Sequence, residues 1–417
     1  MATHKTATTG GDDTPPSVWR NRNFLLLWGG QAVSALGSNI STLALPLLAL
    51  ALTHSPAQAG FIAAAQMLPY VALSLPAGAA IDRWDRKAVM LWCDVVRGLA
   101  YVSLPLAFAL GHLAPAHLYA VALVAGTGDV LFDLAQVAAL PRVVPEGQVT
   151  AAYAATTAAT SGASLLGPGL GGLLIGLART TLAGATLAYL IDGLSYLASA
   201  GALACVRVPF QDSRAGGAAR SLRREIEEGL HFLWRHRRLR AVELLTLGTN
   251  LFLGATDLAL IVLAREALHA GTATIGLLFS VGGAGALLGA LAASRLAARR
   301  RVGRLVLGAA LGEAIGVLAM ALAPSPAILA IGVCLAFAMA SIYSVTAMSY
   351  RLSLTPDALQ GRVNSVGNLL TTSCIPLSRG VGGALLGPLG PRAELWAIAI
   401  GLGGIVLVAR WSPLWGD

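Results

Sequence analysis

A few ionisable side chains of this chain lie inside long apolar stretches, where charge is hard to keep. They are Asp94, Arg97, Asp129, Asp133, Asp192, Asp257, Glu313 and Arg379. A charged group at the centre of a bilayer costs about 2.5–3.5 kcal/mol on insertion scales, so each is a functional candidate. Asp94 and Arg97 are three residues apart and share a helical face. They either neutralise one another near the membrane surface or take part in transport. Asp129 and Asp133 are four apart and also share a face. A carboxylate that exchanges a proton near neutral pH is what proton coupling needs. The alternative is that one of them only bonds Asn, Ser or backbone groups of a neighbouring helix. Asp192 and Glu313 fall near the middle of their stretches, and Asp257 nearer one end. Arg379 is the deep cation of the second half, with Glu313 and Asp257 as the acids available to it. A pairing that forms when the site is empty and a permanent structural pair both fit. Glu243, at the start of its stretch, is expected to be solvated.

Helices in lipid must position these groups. Of 417 residues, 56% are hydrophobic and 12% charged, about half the charge of a soluble domain. A chain this poor in charge cannot cover its surface in water. A membrane span needs about 20 apolar residues. Twelve runs meet that need, at roughly 24–52, 58–81, 88–110, 117–140, 152–178, 183–206, 241–264, 271–294, 305–323, 326–350, 364–389 and 391–411. In lipid the backbone must satisfy itself, so the runs are helices. The alternation of a β-barrel is absent. The expected fold is an all-α membrane protein of twelve transmembrane helices in two six-helix, pseudo-symmetric halves.

The net charge is +9, and it is unevenly placed. With the termini in the cytoplasm, all Lys and Arg fall at cytoplasmic ends except Arg179, Arg265 and Arg392 outside, and Arg97 and Arg379 within helices. That bias puts both ends inside and points to an anionic inner leaflet rather than nucleic acid. Residues 1–23 read as a disordered tail, 24–206 as the first half, 207–240 as a cytoplasmic linker, 241–411 as the second half and 412–417 as a short tail. In the linker, Leu222, Ile226, Leu230, Leu233 and Trp234 share one helical face flanked by arginines, as in a helix lying on a leaflet. The halves repeat. Pro145 to Pro356, Gly171 to Gly382 and Gly172 to Gly383 are each 211 positions. Such a duplication places the route for substrate between the halves. Cys93, Cys205, Cys334 and Cys374 lie in apolar runs without ligand spacing and read as packing residues. No metal-ligand cluster and no P-loop occurs, so neither a metal, a cofactor nor ATP is expected.

The segment GAAIDRWDRK, Gly78 to Lys87, resembles the loop between helices two and three of the major facilitator superfamily. The resemblance makes Gly78, Asp82, Arg83, Arg86 and Lys87 a conformational switch, with Asp82 contacting the second half when the cytoplasmic side is closed. Ser294, Arg295 and Arg299 form a worn second copy. GPGLGG, with Gly167, Pro168, Gly171 and Gly172, looks like the fifth-helix motif of that family's drug–proton antiporters. Here glycine allows close helix approach and proline removes a backbone donor; tight packing alone also explains it. The opening NFLLLWGGQAVSALGSNISTLALPLLALALT, the DVVRG of helix three and the IDGLSYLASA of helix six are similar to a bacterial branch of macrolide efflux proteins and an enterobactin exporter. The fourth helix departs from the antiporter pattern: it has Asp129 and Asp133 where an arginine is expected.

The resemblance implies a secondary exporter of amphipathic organic compounds, a drug, antibiotic or secondary metabolite. It would exchange protons by alternating access as a monomer in the bacterial inner membrane. Gln31, Asn39, Gln66, Tyr70, Asn250, Phe252 and Tyr343 are the candidate lining. Siderophore export and lysophospholipid flipping on the same fold are alternatives. So, remotely, is a membrane prenyltransferase, because DVLFD matches a magnesium-diphosphate DxxxD motif; its second aspartate-rich motif is missing.

Overall fold

The computed structural model describes residues 17–81, 83–211, 222–297, 301–356 and 359–413. Among these there are helices and no strands. The first half holds α1 (Arg22–Ser41), α2 (Ala44–Thr53), α3 (Pro56–Ile81), α4 (Arg86–Ala109), α5 (Pro115–Val143), α6 (Val149–Leu177) and α7 (Thr181–Ala204). A linker helix, α8 (Leu222–Arg235), follows. The second half holds α9 (Arg237–Leu253), α10 (Thr256–Val262), α11 (Thr272–Ala297), α12 (Val302–Leu322), α13 (Pro326–Leu354), α14 (Gln360–Thr372), α15 (Cys374–Leu389) and α16 (Pro391–Ala409).

Among the described residues, eleven spans are long and apolar enough to cross a membrane. The twelfth, α3, runs for 26 residues without a charged side chain. The first, seventh and eleventh spans are each two helices in line. Breaks fall at Thr42–Leu43, Gly254–Ala255 and Ser373, which hydropathy does not register because each combined run still averages apolar over the length of a span. Short loops make successive spans alternate in direction. Helix starts carry local caps: Asn21 accepts from Asn23 and Phe24 amides at 3.0 and 3.2 Å, and Asp85 from the Lys87 amide at 2.9 Å. Proline stands at the first position of α5, α13 and α16, where its missing N–H costs nothing. The α6 helix runs unbroken through Pro168.

The first and last described residues, Ser17 and Pro413, lie at one end of the molecule, here the terminal end; the other is the distal end. A single hydrophobic core at the distal end draws on both halves, joining Leu47, Ile62, Leu118 and Ile175 to Leu260, Ile275, Val317 and Leu395. Toward the terminal end it divides. One core there holds Phe24, Met90, Phe132 and Leu203; another holds Val242, Val306, Ile342 and Tyr350. The halves are therefore sealed distally and parted toward the termini.

Candidate functional site: a charged cleft in the first half

The seal is made by glycines. A Cβ on Gly172 of α6 would lie 2.7 Å from the Gly276 Cα of α11, and one on Gly383 of α15 would lie 2.7 Å from the Gly60 Cα of α3. Only glycine permits that approach of two backbones. Gly172 and Gly383 are the residues separated by the 211-residue repeat, and each touches the opposite half. Further along α6, the Gly169 amide donates to Ser280 Oγ at 2.9 Å. Gly162, nearer the terminal end, faces open space. Gly167 and Gly171 pack on Asn39 and Ile40, beside the break in the first span. The GPGLGG segment thus packs against both α1 and α11.

Below the seal a cavity of about 200 Å³ opens in the first half. Arg97 sits at its wall, 4% exposed. Its two terminal nitrogens meet Asp94 at 2.5 Å and Asp129 at 2.6 Å. Its guanidinium carbon lies 4.2 Å from the Tyr196 ring centroid and 4.7 Å from that of Phe132, within cation–π range. Asp94 is sealed, while the Asp129 side chain is 26% exposed. One turn on, Asp133 is exposed and accepts from the Tyr70 hydroxyl at 2.8 Å. Asp192 is fully buried and, among the described residues, meets no cation: Ser38 donates at 3.2 Å and Ser41 at 2.5 Å. Ser38 also shares a hydrogen bond of 2.9 Å with the Tyr196 hydroxyl. A polar chain thus runs from the cavity through Arg97, Tyr196 and Ser38 to Asp192.

The spacing of Asp94 with Arg97, and of Asp129 with Asp133, places each pair as the helical face requires. Sequence alone does not reveal that α4 and α5 bring them together. Gln31 and Tyr70 line the cavity, and Gln136 donates to Gln31 at 2.8 Å. Tyr196, Phe132, Ser38 and Gln136 also line it and escape sequence reasoning. Two helical signals were available: Tyr196 is one turn beyond Asp192, and Gln136 one turn beyond Asp133. Asn39, Asn250 and Tyr343 are spent on packing: Asn39 bonds Ala35 O in its own helix, Asn250 bonds Thr371 O and Tyr343 bonds Thr246. Phe252 packs against Gly401.

The second half differs from expectation. Arg379 makes no ion pair with Glu313 or Asp257; it donates to the Ala63 carbonyl of the opposite half at 3.4 Å. Asp257 is exposed in the first turn of α10. Glu313 and Glu394 are buried. Glu243 is not solvated. It is 3% exposed and paired with Arg351, which the charge count had put at a cytoplasmic end. The α14 helix covers both, and no loop signal reports that cover.

In the switch segment, Gly78 faces open space and Arg83 is exposed. Arg86 donates to Ala138 O at 3.3 Å, and Lys87 to Val206 O at 2.5 Å, tying the turn to α5 and to the end of α7. Asp82 and Arg299 lie outside the described residues. Among those residues no group of His, Cys, Asp and Glu has metal-site geometry, and Asp129 is held by Arg97 rather than poised for a magnesium diphosphate.

Two six-helix halves, sealed at one end and parted over a charged cavity, define a transporter of the major facilitator type. Solved structures share the fold. The nucleoside transporter NupG superposes with a TM-score of 0.76 at 11% identity, over 94% of this chain and 99% of that one. A bacterial homologue of the lysosomal transporter Spinster superposes at 0.74 with 15% identity, over 96% and 100%. The transmembrane secretion effector profile matches residues 14–410, and the chain belongs to that family of the major facilitator superfamily; it is a transporter, not an enzyme. The multidrug efflux pump Tap of Mycobacterium tuberculosis is 30% identical over 414 residues, covering 94% of this chain and 95% of the pump. Macrolide efflux protein A of Streptococcus pyogenes is 27% identical over 226 residues, 54% of each chain.

Proposed function

We propose that this transporter exports amphipathic organic compounds from the bacterial cytoplasm, exchanging them for protons by alternating access. The observation that carries the reading is the open, acid-rich site. Asp94 and Asp129 share one guanidinium, and Asp133 adds a further carboxylate at the cavity wall. Such a site has negative charge to spare for a proton or a cationic group, and its aromatic rings suit an organic body. The names of the Tap pump and of macrolide efflux protein A support the export of drugs. The Lys/Arg bias makes the terminal end cytoplasmic, so the cleft opens to the cytoplasm and the glycine seal faces outward. By the family resemblance, Gly78, Asp82, Arg83, Arg86 and Lys87 act as a conformational switch between the second and third spans. Residues 24–206 and 241–411 are the rocking halves, joined by the linker 207–240, and one chain suffices.

Inverted membrane vesicles test this with a panel of macrolides, cationic dyes and neutral drugs, with and without an imposed proton gradient. Accumulation of at least one class should need the gradient, and Asp129→Asn with Asp133→Asn should abolish it. Accumulation of every compound regardless of gradient would overturn antiport. Accumulation of none, from protein shown to be folded, would overturn export of this class.

A further inference from the structure

A groove of about 570 Å³ runs between α9 and α16 on the outer face of the second half, away from the central cavity. It is within the size of a ligand site, about 300–1,000 Å³. Its walls are apolar: Leu244, Phe252, Gly401, Gly404, Ile405 and Val408. Two close contacts hold the helices together, since a Cβ on Gly401 would meet the Phe252 ring and one on Gly248 would lie 2.7 Å from Ile405 Cδ1. Gly404 is left bare, with nothing within 4 Å of a Cβ there. The surrounding Leu244 and Val408 are 49% and 67% exposed, as lipid-facing residues are.

The mouth of the groove is cationic. Arg237 and Arg240 line it, beside Ser412 and Pro413. Arg237 makes no ion pair or hydrogen bond among the described residues. Arg240 spends one nitrogen on the Trp234 carbonyl, at 3.4 Å, and a guanidinium has five N–H donors. Trp234 and Trp411, 50% and 88% exposed, flank the mouth in sequence. Exposed tryptophans mark the headgroup level of a bilayer. From Arg240 to Phe252 the helix rises about 18 Å at 1.5 Å per residue. That is close to one leaflet of a hydrocarbon core about 30 Å thick. Charge at the headgroup level and a bare apolar floor reaching to the midplane describe one occupant.

We propose that this groove binds an anionic phospholipid of the leaflet at the terminal end. Its phosphate sits on Arg237 and Arg240, and one acyl chain lies over Gly404. The site is independent of what the transporter carries. Because it joins the start of α9 to the end of α16 beside the linker helix, an occupied groove braces the second half where the linker enters it.

The full chain, exchanged into detergent with dioleoylphosphatidylglycerol or dioleoylphosphatidylcholine, is read by native mass spectrometry and thermal melting. The wild type should retain phosphatidylglycerol roughly tenfold better than phosphatidylcholine, since each basic residue near the surface favours an anionic headgroup. Arg237→Gln with Arg240→Gln should erase that preference and keep the melting temperature in phosphatidylcholine; Arg237→Lys with Arg240→Lys should keep most of the preference. Gly404→Leu should lower retention of both lipids with the arginines intact, and glycerol phosphate, which lacks chains, should not compete. Equal retention of the two lipids by the wild type would overturn the proposal. So would an unchanged preference in the double glutamine variant, or a dimer mass showing that a second copy fills the groove.

Discussion

Each half of the transporter buries an arginine against acid, but Arg97 and Arg351 are enclosed differently. Arg351 meets Glu243 as a fork, with contacts of 2.6 and 3.1 Å, and its remaining nitrogen donates to Asn364 and Asn368 at 3.0 Å each. The unit is neutral and sealed, and its arginine lies three residues before the end of α13 at Leu354. Arg97 lies halfway along α4, divides itself between Asp94 and Asp129, and is capped by aromatic rings rather than amides. One unit holds three helices of the second half in place. The other keeps unspent negative charge beside a cavity. On the proposed function, similar chemistry would serve packing in one half and exchange in the other.

The comparison breaks most readily at the arginines themselves. Arg97→Gln and Arg351→Gln should each destabilise by about 3–5 kcal/mol, because each leaves a buried carboxylate uncompensated. Apolar replacement of a whole pair is often neutral in stability. Glu243→Leu with Arg351→Met should therefore regain both the melting temperature and vesicle efflux. Asp94→Leu, Arg97→Met and Asp129→Asn together, which remove both acids that share the guanidinium, should regain melting and leave efflux at background. A second-half pair variant that melts like the wild type but carries nothing would sink the division of labour.

How far the sequence reaches depends on whether a signal is local. The twelve spans are legible because lipid demands long apolar runs, and the i,i+3 and i,i+4 faces of α4 and α5 follow from helix geometry. The breaks at Thr42, Gly254 and Ser373 are not, since each falls inside a run that still averages apolar over the length of a span. Glu243 and Arg351 look like solvated end residues until α14 folds over them. Arg379 needs an acid by charge reasoning, yet a carbonyl of the opposite half, Ala63, receives it. Glu394 looks like an ordinary first-turn acid and is 4% exposed. Juxtaposition between helices decides each of these cases, and hydropathy carries none of it.

The halves are alike at the glycine seal, and that likeness gives a second test. Gly172→Val and Gly383→Val each force a side chain between backbones, an overpacking that costs about 1–3 kcal/mol. The cost falls on the distally closed state. Hydrogen exchange should quicken in the distal turns of α6 and α11 for the first variant, and of α3 and α15 for the second, with export slowed in both. Gly162→Ala, in open space, should change neither. An effect at one seal and none at the other would mean the halves do not close as equivalents.

The smallest expected effect separates the two halves by single hydroxyls. Tyr70 donates to Asp133 at the exposed wall, at 2.8 Å, whereas Tyr343 shares a 2.7 Å bond with Thr246 in a buried core. A hydrogen bond to a charged group contributes about 1.5–3 kcal/mol, but water can replace the Tyr70 hydroxyl on an exposed carboxylate. Tyr70→Phe should thus leave melting within about 0.5 kcal/mol of the wild type, the range of ordinary surface changes. Its mark should be on transport. If Asp133 receives cationic substrates, KM for a cationic dye changes and KM for a neutral drug does not; if it handles only protons, kcat falls alike for both. Tyr343→Phe should do the reverse, lowering stability by about 1 kcal/mol for the lost buried bond with kcat and KM intact. A Tyr70→Phe variant that loses stability and keeps its kinetics for both compounds would reduce the exposed carboxylate to packing, and the contrast between the halves would rest on Arg97 alone.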